Sequence, residues 1–270
     1  MLGLATLWET LTLLGWEEVE SLEAWSMNAT VLFTGGKDSV YALHKAAEAG
    51  YRIVVLSSII PLYRYSMLYH QPYFNILQAQ SQSLGIPLET IGVSEGEMEI
   101  DALRMLLTRV RDRYGVKVVV SGAIASNYQR KRFEQVVGEL GLELYTPLWG
   151  RNPYKYLGEL LENGIRFIIM SITSMGIPLE ILGREIEAED VERLIKLARK
   201  YGFDPSFEGG DAETIVVDSP LFKYRLLIAG EKKILSEYEG YYEPSAVRLV
   251  KKPTSTSQHR PLSFQQGSPV

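Results

Sequence analysis

From Ala29 onward, apolar runs too short to be helices alternate with segments whose apolar residues recur every three or four positions. "TVLF" (30–33), "RIVVLSSII" (52–60), "PLETIGV" (87–93) and "VKVVVSG" (116–122) read as strands. Between them the spacing predicts helices over Ser39–Ala49, Pro72–Leu84, Glu97–Tyr114 and Tyr128–Leu140. The punctuation agrees. Gly50, Gly85 and Gly141 stand just past three of those helices, where a left-handed residue closes the last turn, and Pro72 falls in a first turn, where its missing N–H has no helical partner to lose. Apolar strands alternating with helices are covered on both sides. The predicted class is therefore α/β, a parallel sheet with helices on both faces.

After about Trp149 the texture changes. A helix over Pro153–Asn163, a strand "IRFIIMSI" (165–172) and a charged helix over Ala188–Tyr201 come first. "ETIVVD", "KYRLLIAG", "KKILSEYEG" and "SAVRLV" follow, strand-like runs split by turn residues. This predicts a smaller α+β domain over 151–252, packed on a first domain over 27–150. Residues 1–26 carry Leu4, Leu7, Leu11 and Leu14 at helical spacing. They read either as an accessory amphipathic helix or, the favoured reading, as an over-extended gene start with Met27 as the true first residue. The tail 253–270, rich in Ser, Gln, Thr and Pro, is expected to be disordered.

Composition narrows the chemistry. The net charge is −5, which leans against a protein whose main task is gripping a nucleic-acid backbone. Cysteine is absent, which excludes disulfides, thiolate metal sites and a cysteine nucleophile. His44, His70 and His259 lie far apart, without metal-ligand spacing. No run is long and apolar enough to span a bilayer, and the leucine-rich start lacks a basic n-region, so no membrane partner and a cytoplasmic location are expected.

"FTGGKDS" (33–39) stands at a strand end, directly before a helix. Gly35 and Gly36 let the backbone approach a ligand closely, and the helix start offers unpaired N–H groups with partial positive charge. Lys37 adds a full charge, and Thr34 and Ser39 add hydroxyls. Together these make a phosphate site. Asp38 fits there once Mg²⁺ is bound to the phosphate oxygens. The spacing is neither that of a Walker A loop nor GxGxxG. "SGAIASNYQRKR" (121–132) lies at another strand end. Ser121 and Gly122 make a small corner suited to a passing nucleotide, and Tyr128, Arg130 and Arg132 could reach phosphate or a carboxylate, or form a solvated basic face. In "FEGGDAET" (207–214), Glu208, Asp211 and Glu213 bracket Gly209 and Gly210, either a site for a cationic or amine-bearing group or an acidic solvated turn.

The hexapeptide TGGKDS resembles the S-G-G-x-D-S loop of the N-type ATP pyrophosphatases, the PP-loop superfamily. That resemblance implies an adenine-nucleotide α-hydrolase (HUP-like) fold, with pyrophosphate on Gly35, Gly36, Lys37, Asp38 and Ser39. Together with "YHQPYFNILQAQSQSLGIPL", "SNYQRKR", "PLWGR", "LGREI" and "EGGDAET…DSPLF", the chain resembles the diphthine–ammonia ligases from Ala29 to Phe222. It departs from their usual pattern at Asp211, at Ala212 and at Gly122-Ala123-Ile124.

The resemblance implies the last step of diphthamide synthesis, with ATP and Mg²⁺ as cofactors and ammonium and diphthine-bearing translation elongation factor 2 as partners. The diphthine carboxylate would attack the α-phosphorus of ATP, and ammonia would then displace AMP. It further implies Lys37, Asp38, Glu208 and Glu213 as catalytic residues, and Thr34, Ser121 and Gly122 with the loop around the nucleotide. Asp38 would hold Mg²⁺. Tyr128, Arg130, Gly209, Gly210, Asp211 and Thr214 would receive the substrate arm. His70 is a candidate with no assigned role, and the Tyr63–Tyr73 loop, aromatic and proline-bearing, could close over the acyl-adenylate. Two other readings remain open: a PP-loop tRNA-modifying ligase without cysteine chemistry, and an ATP-binding regulator without catalysis.

Overall fold

The computed structural model describes residues 27–61, 73–94, 99–124 and 127–252, with residues 127–129 as backbone alone. The leucine-bearing start, His70, most of the Tyr63–Tyr73 loop and the tail lie outside the described residues.

The first half is a five-stranded parallel sheet. Its strands β1 (Asn28–Leu32), β2 (Arg52–Pro61), β3 (Leu88–Val93), β4 (Val118–Val120) and β5 (Glu143–Tyr145) lie in the order β3-β2-β1-β4-β5. Helices α1 (Lys37–Glu48), α2 (Phe74–Leu84), α3 (Glu99–Tyr114) and α4 (Asn127–Glu139) alternate with the strands. Successive side chains point to opposite faces. Val31 and Phe33 therefore enter a core with Val40, Leu43 and Leu77 of α1 and α2, whereas Leu32 and Val119 enter one with Leu103, Phe133 and Val136 of α3 and α4. The order reverses between β1 and β4, whose following helices pack on opposite faces, and the two strand ends open a crevice there.

The second half holds α5 (Pro153–Glu162), β6 (Arg166–Ile172), α6 (Ala188–Tyr201), β7 (Ala212–Asp218), β8 (Tyr224–Ile234) and β9 (Gly240–Lys251). Local chemistry sets the helix ends. Asn152 accepts the Tyr154 N–H with Pro153 in the first turn of α5, and Glu187 with Asp190 forms a capping box on α6. The strands form an antiparallel sheet in the order β7-β6-β9-β8. Phe167, Ile169 and Val216 of this sheet share one continuous core with α1 and α2, so the sheet is seated on the helix layer beside the crevice.

One strand goes unread in the sequence and one expectation is corrected. β5 does not stand out, because three residues at a sheet edge carry too little pattern. "KYRLLIAG" and the start of "KKILSEYEG" are one strand, not two. Gly230 marks a register shift where a Cβ would lie 2.3 Å from the Glu243 carbonyl, so this glycine permits close approach inside a hairpin and does not end a strand.

His44, on the buried side of α1, has no hydrogen-bond partner for Nε2 among the described residues. Burial, aided by Lys45 and Lys252, lowers its pKa from 6.5 to about 4. A depressed folded-state value means that this stability is present above pH 6.5 and is lost as pH falls from there to about 4. The loss amounts to about 3 kcal/mol. His44→Leu is expected to flatten that part of the acid limb in denaturant titrations, and an unchanged slope between wild type and variant would refute the assignment.

Candidate active site

The turn after β1 is held from three sides. Gly35 is left-handed (φ 74°), and its carbonyl accepts the Val216 N–H of β7 at 3.0 Å and Gln80 Nε2 of α2 at 2.9 Å. Gln80 spends its second amide hydrogen on the Val216 carbonyl at 2.8 Å, so one buried side chain pins the loop to the second sheet. Gly36 is the N-cap of α1. The Lys37 N–H is taken by Thr214 Oγ1 at 3.1 Å, while those of Asp38 and Ser39 are taken by no described residue. Ser39 Oγ donates to the Gly36 carbonyl at 3.1 Å and accepts from the Thr34 N–H at 3.3 Å, which fixes the shape of the loop.

The Lys37 side chain is only 3% exposed. Its ammonium lies 2.9 Å from Asp38 Oδ2, 5.9 Å from the centroid of the Tyr156 ring and 5.6 Å from that of Phe207. Asp38 Oδ1 accepts the Tyr156 hydroxyl at 2.7 Å. Burial first, and then the Asp38 charge, pushes the Tyr156 phenol well above its usual ionisation range, so it stays a donor. Phe207 is bulky, yet it adopts φ 65°, a strained geometry that places its ring beside Lys37 and opens the glycine turn. Behind this layer, Glu159 accepts from the Tyr41 hydroxyl at 2.6 Å and pairs with Arg151.

Across the crevice, Gly122 lies against the loop backbone: a Cβ there would stand 2.7 Å from the Asp38 carbonyl carbon. Ser121 is buried, and its hydroxyl accepts the Ala123 N–H at 3.3 Å. Glu208 reaches in from the second half and accepts the Ile124 N–H at 3.2 Å. Burial, followed by the Asp38 charge, raises the Glu208 pKa, with Lys37 opposing. The Asp38 charge beside Glu208 leaves a concentration of negative charge there that favours a cation.

The remaining expected residues divide. Glu213 lines the cavity at the loop mouth with Thr34, Lys37, Asp38, Tyr73 and Phe207. Burial and then the Glu213 charge raise the Tyr73 phenol. Gly209 and Gly210 are left-handed and face open space. Asp211 turns inward, accepting the Asp204 N–H at 2.9 Å and the Ser174 hydroxyl, so it braces the turn. Thr214 caps the loop, as described. Arg130 pairs with Glu134 at 2.7 Å and lies 4.6 Å from the Trp149 ring centroid. The Tyr128 side chain lies outside the described residues, as does His70.

The chain matches the family model for the diphthamide synthase N-terminal domain over residues 27–144 and the model for its C-terminal domain over residues 152–250. It belongs to the diphthamide synthase family. Its relatives include the diphthine–ammonia ligases of Mus musculus, 30% identical over 244 residues, 83% of this chain and 91% of the relative. That of Danio rerio is 30% identical over 248 residues, covering 83% and 95%. That of Homo sapiens is 27% identical over 245 residues, covering 83% and 91%.

In this diphthamide synthase family member, the contacts of Tyr156 with Asp38, Thr214 with Lys37 and Glu208 with Ile124 all join the two matched regions. Sequence reasoning missed Tyr156, Phe207 and Gln80. Only Gln80 carried a signal, a polar residue on the buried stripe formed by Ile76, Leu77 and Leu84. No described helix is long and apolar enough to cross a membrane.

Proposed function

We propose that this chain is an ATP-dependent ligase that amidates the carboxylate of diphthine on translation elongation factor 2, with AMP and pyrophosphate as by-products. The observation that carries this reading is the loop itself. Left-handed Gly35, Lys37 and Asp38 stand at the crevice between β1 and β4, with Glu208 fixed opposite them. Amidating a carboxylate in water is uphill, and ATP supplies the leaving group by transferring AMP to the carboxylate oxygen. Lys37 swings from Asp38 to the charge that builds on the departing pyrophosphate, and the free N–H groups of Asp38 and Ser39 hold its oxygens. Glu213, at the cavity mouth, orients ammonium or the trimethylammonium of the substrate arm. On this reading the ATP-binding unit runs over 27–150 and the substrate-recognition unit over 151–252.

The residues fit Mg²⁺ in a limited way. Among the described residues no group of three or more His, Cys, Asp or Glu could hold a metal ion. Mg²⁺ that arrives on phosphates needs only one or two carboxylates, and Asp38 with Glu208 supplies them. When bound, Mg²⁺ neutralises phosphate charge.

The test follows AMP release from ATP and Mg²⁺ with ammonium and diphthine-bearing elongation factor 2, alongside mass spectrometry of the modified peptide. AMP formation that requires both partners, with carboxylate converted to amide, is the expected result. ATP cleavage without amidation would refute the substrate assignment, and no cleavage with authentic substrate would refute the activity.

A further inference from the structure

We propose that Tyr156 is a positioning residue, whose phenol fixes the Asp38 carboxylate so that it faces a phosphate-bound divalent cation. The inference rests on the ligase reading above, in which Asp38 meets Mg²⁺. Tyr156 belongs to α5, in the second matched region, yet its hydroxyl donates to Asp38 Oδ1 at 2.7 Å. Lys37 holds Oδ2 at 2.9 Å. Each carboxylate oxygen therefore has one donor and keeps lone-pair capacity for a second partner. The Asp38 side chain is 32% exposed, so that capacity is open at the loop mouth.

The Tyr156 ring is fully buried and cannot follow a wandering partner. It packs at a tilt against Tyr41, with centroids 6.2 Å apart, and Tyr41 is in turn tied to Glu159. The phenol thus transmits a rigid reference from the second domain to one loop carboxylate. Without it, Asp38 keeps its Oδ2 contact with Lys37 but its Oδ1 has no fixed direction, so the outward edge is no longer set. Any buried phenol needs a hydrogen-bond partner; the one used here is a loop carboxylate of the other matched region.

The experiment is calorimetric titration of inorganic pyrophosphate into the full chain, with and without Mg²⁺. Tyr156→Phe keeps the ring and leaves the freed Asp38 oxygen in reach of water, so the fold should survive. It is expected to weaken Mg²⁺-dependent pyrophosphate binding by roughly tenfold or more, the usual effect of losing a partner of a metal ligand. Metal-free binding should be unchanged. Asp38→Asn should lose the Mg²⁺ enhancement likewise, with metal-free binding strengthened because a negative charge beside the anion is removed, and the double variant should bind in Mg²⁺ no more weakly than Asp38→Asn alone. A purely structural role would weaken both titrations alike, so equal losses, additive losses or wild-type Mg²⁺ dependence would overturn the proposal. A variant too unstable to titrate would overturn it too, because the phenol would then be a requirement for folding. These outcomes leave the ligase reading standing. Wild-type protein that binds no pyrophosphate under either condition would sink both the loop reading and the proposal.

Discussion

Replacing Lys37 with methionine is expected to lower AMP formation by roughly 10²- to 10³-fold, the scale of removing one electrostatic donor from a reacting centre. The thermal midpoint should barely move. Methionine is close in length and would lie between the rings of Tyr156 and Phe207, where a thioether packs well. The buried ammonium adds little net stability in the folded state, because its desolvation offsets much of its attraction to Asp38. Asp38 keeps the Tyr156 hydroxyl and reaches solvent once the lysine is gone. Loss of turnover with retained folding separates the chemistry from the scaffold. Lys37→Arg should not restore activity, since a planar guanidinium does not fit the slot of a compact ammonium. A Lys37→Met protein that releases AMP at the wild-type rate would remove Lys37 from the reaction.

Much of the first half was legible because buried parallel strands are written as continuous apolar runs. "TVLF", "RIVVLSSII" and "VKVVVSG" each overlap a strand of the sheet, and Gly85 closes α2 in the left-handed geometry that its position suggested. The shape of the glycine loop was legible for a related reason: two adjacent glycines between a strand and a helix start act through the backbone, and the backbone is local.

What could not be read is what the second half does to that loop. Tyr156 lies 118 positions from Asp38 and Thr214 lies 177 from Lys37, and periodicity says nothing about contacts at that range. "FEGGDAET" reads as a patch of carboxylates for a ligand. In the fold it divides: Glu208 and Glu213 face the crevice, Asp211 braces its own turn and Thr214 caps the helix of the loop. Residue type announced polar chemistry, but direction depended on the docking of two sheets. The same docking explains why Gln80 is a glutamine. Its amide offers two hydrogens to two carbonyls from different halves, which no apolar residue on that stripe could do.

Gly122→Ala is the second large effect expected. The sequence suggests that this glycine borders a nucleotide; in the fold it makes room for the loop backbone. A Cβ at this position would stand 2.7 Å from the Asp38 carbonyl carbon, 2.8 Å from its oxygen and 2.9 Å from the Ser39 nitrogen. All three are backbone atoms, so no side chain can swing aside, and either the loop or the β4 corner must move. Overpacking of this kind costs about 1–3 kcal/mol. Because the displaced atoms belong to the residues that would face phosphate and Mg²⁺, turnover should fall by roughly 10²-fold, the scale of a small misplacement at a reacting centre. Gly138→Ala is the control. It lies exposed in α4, a Cβ there meets nothing within 4 Å, and helix propensity alone should stabilise the protein by roughly 0.5–1 kcal/mol with activity unchanged. The comparison is read from AMP release and thermal melting of the two variants side by side. A fall in turnover at Gly122 larger than its stability loss explains means that this corner sets the position of the loop. Wild-type turnover in Gly122→Ala would mean that the loop tolerates displacement, and the rigidity ascribed to its contacts with Val216, Gln80 and Tyr156 would not be what catalysis requires.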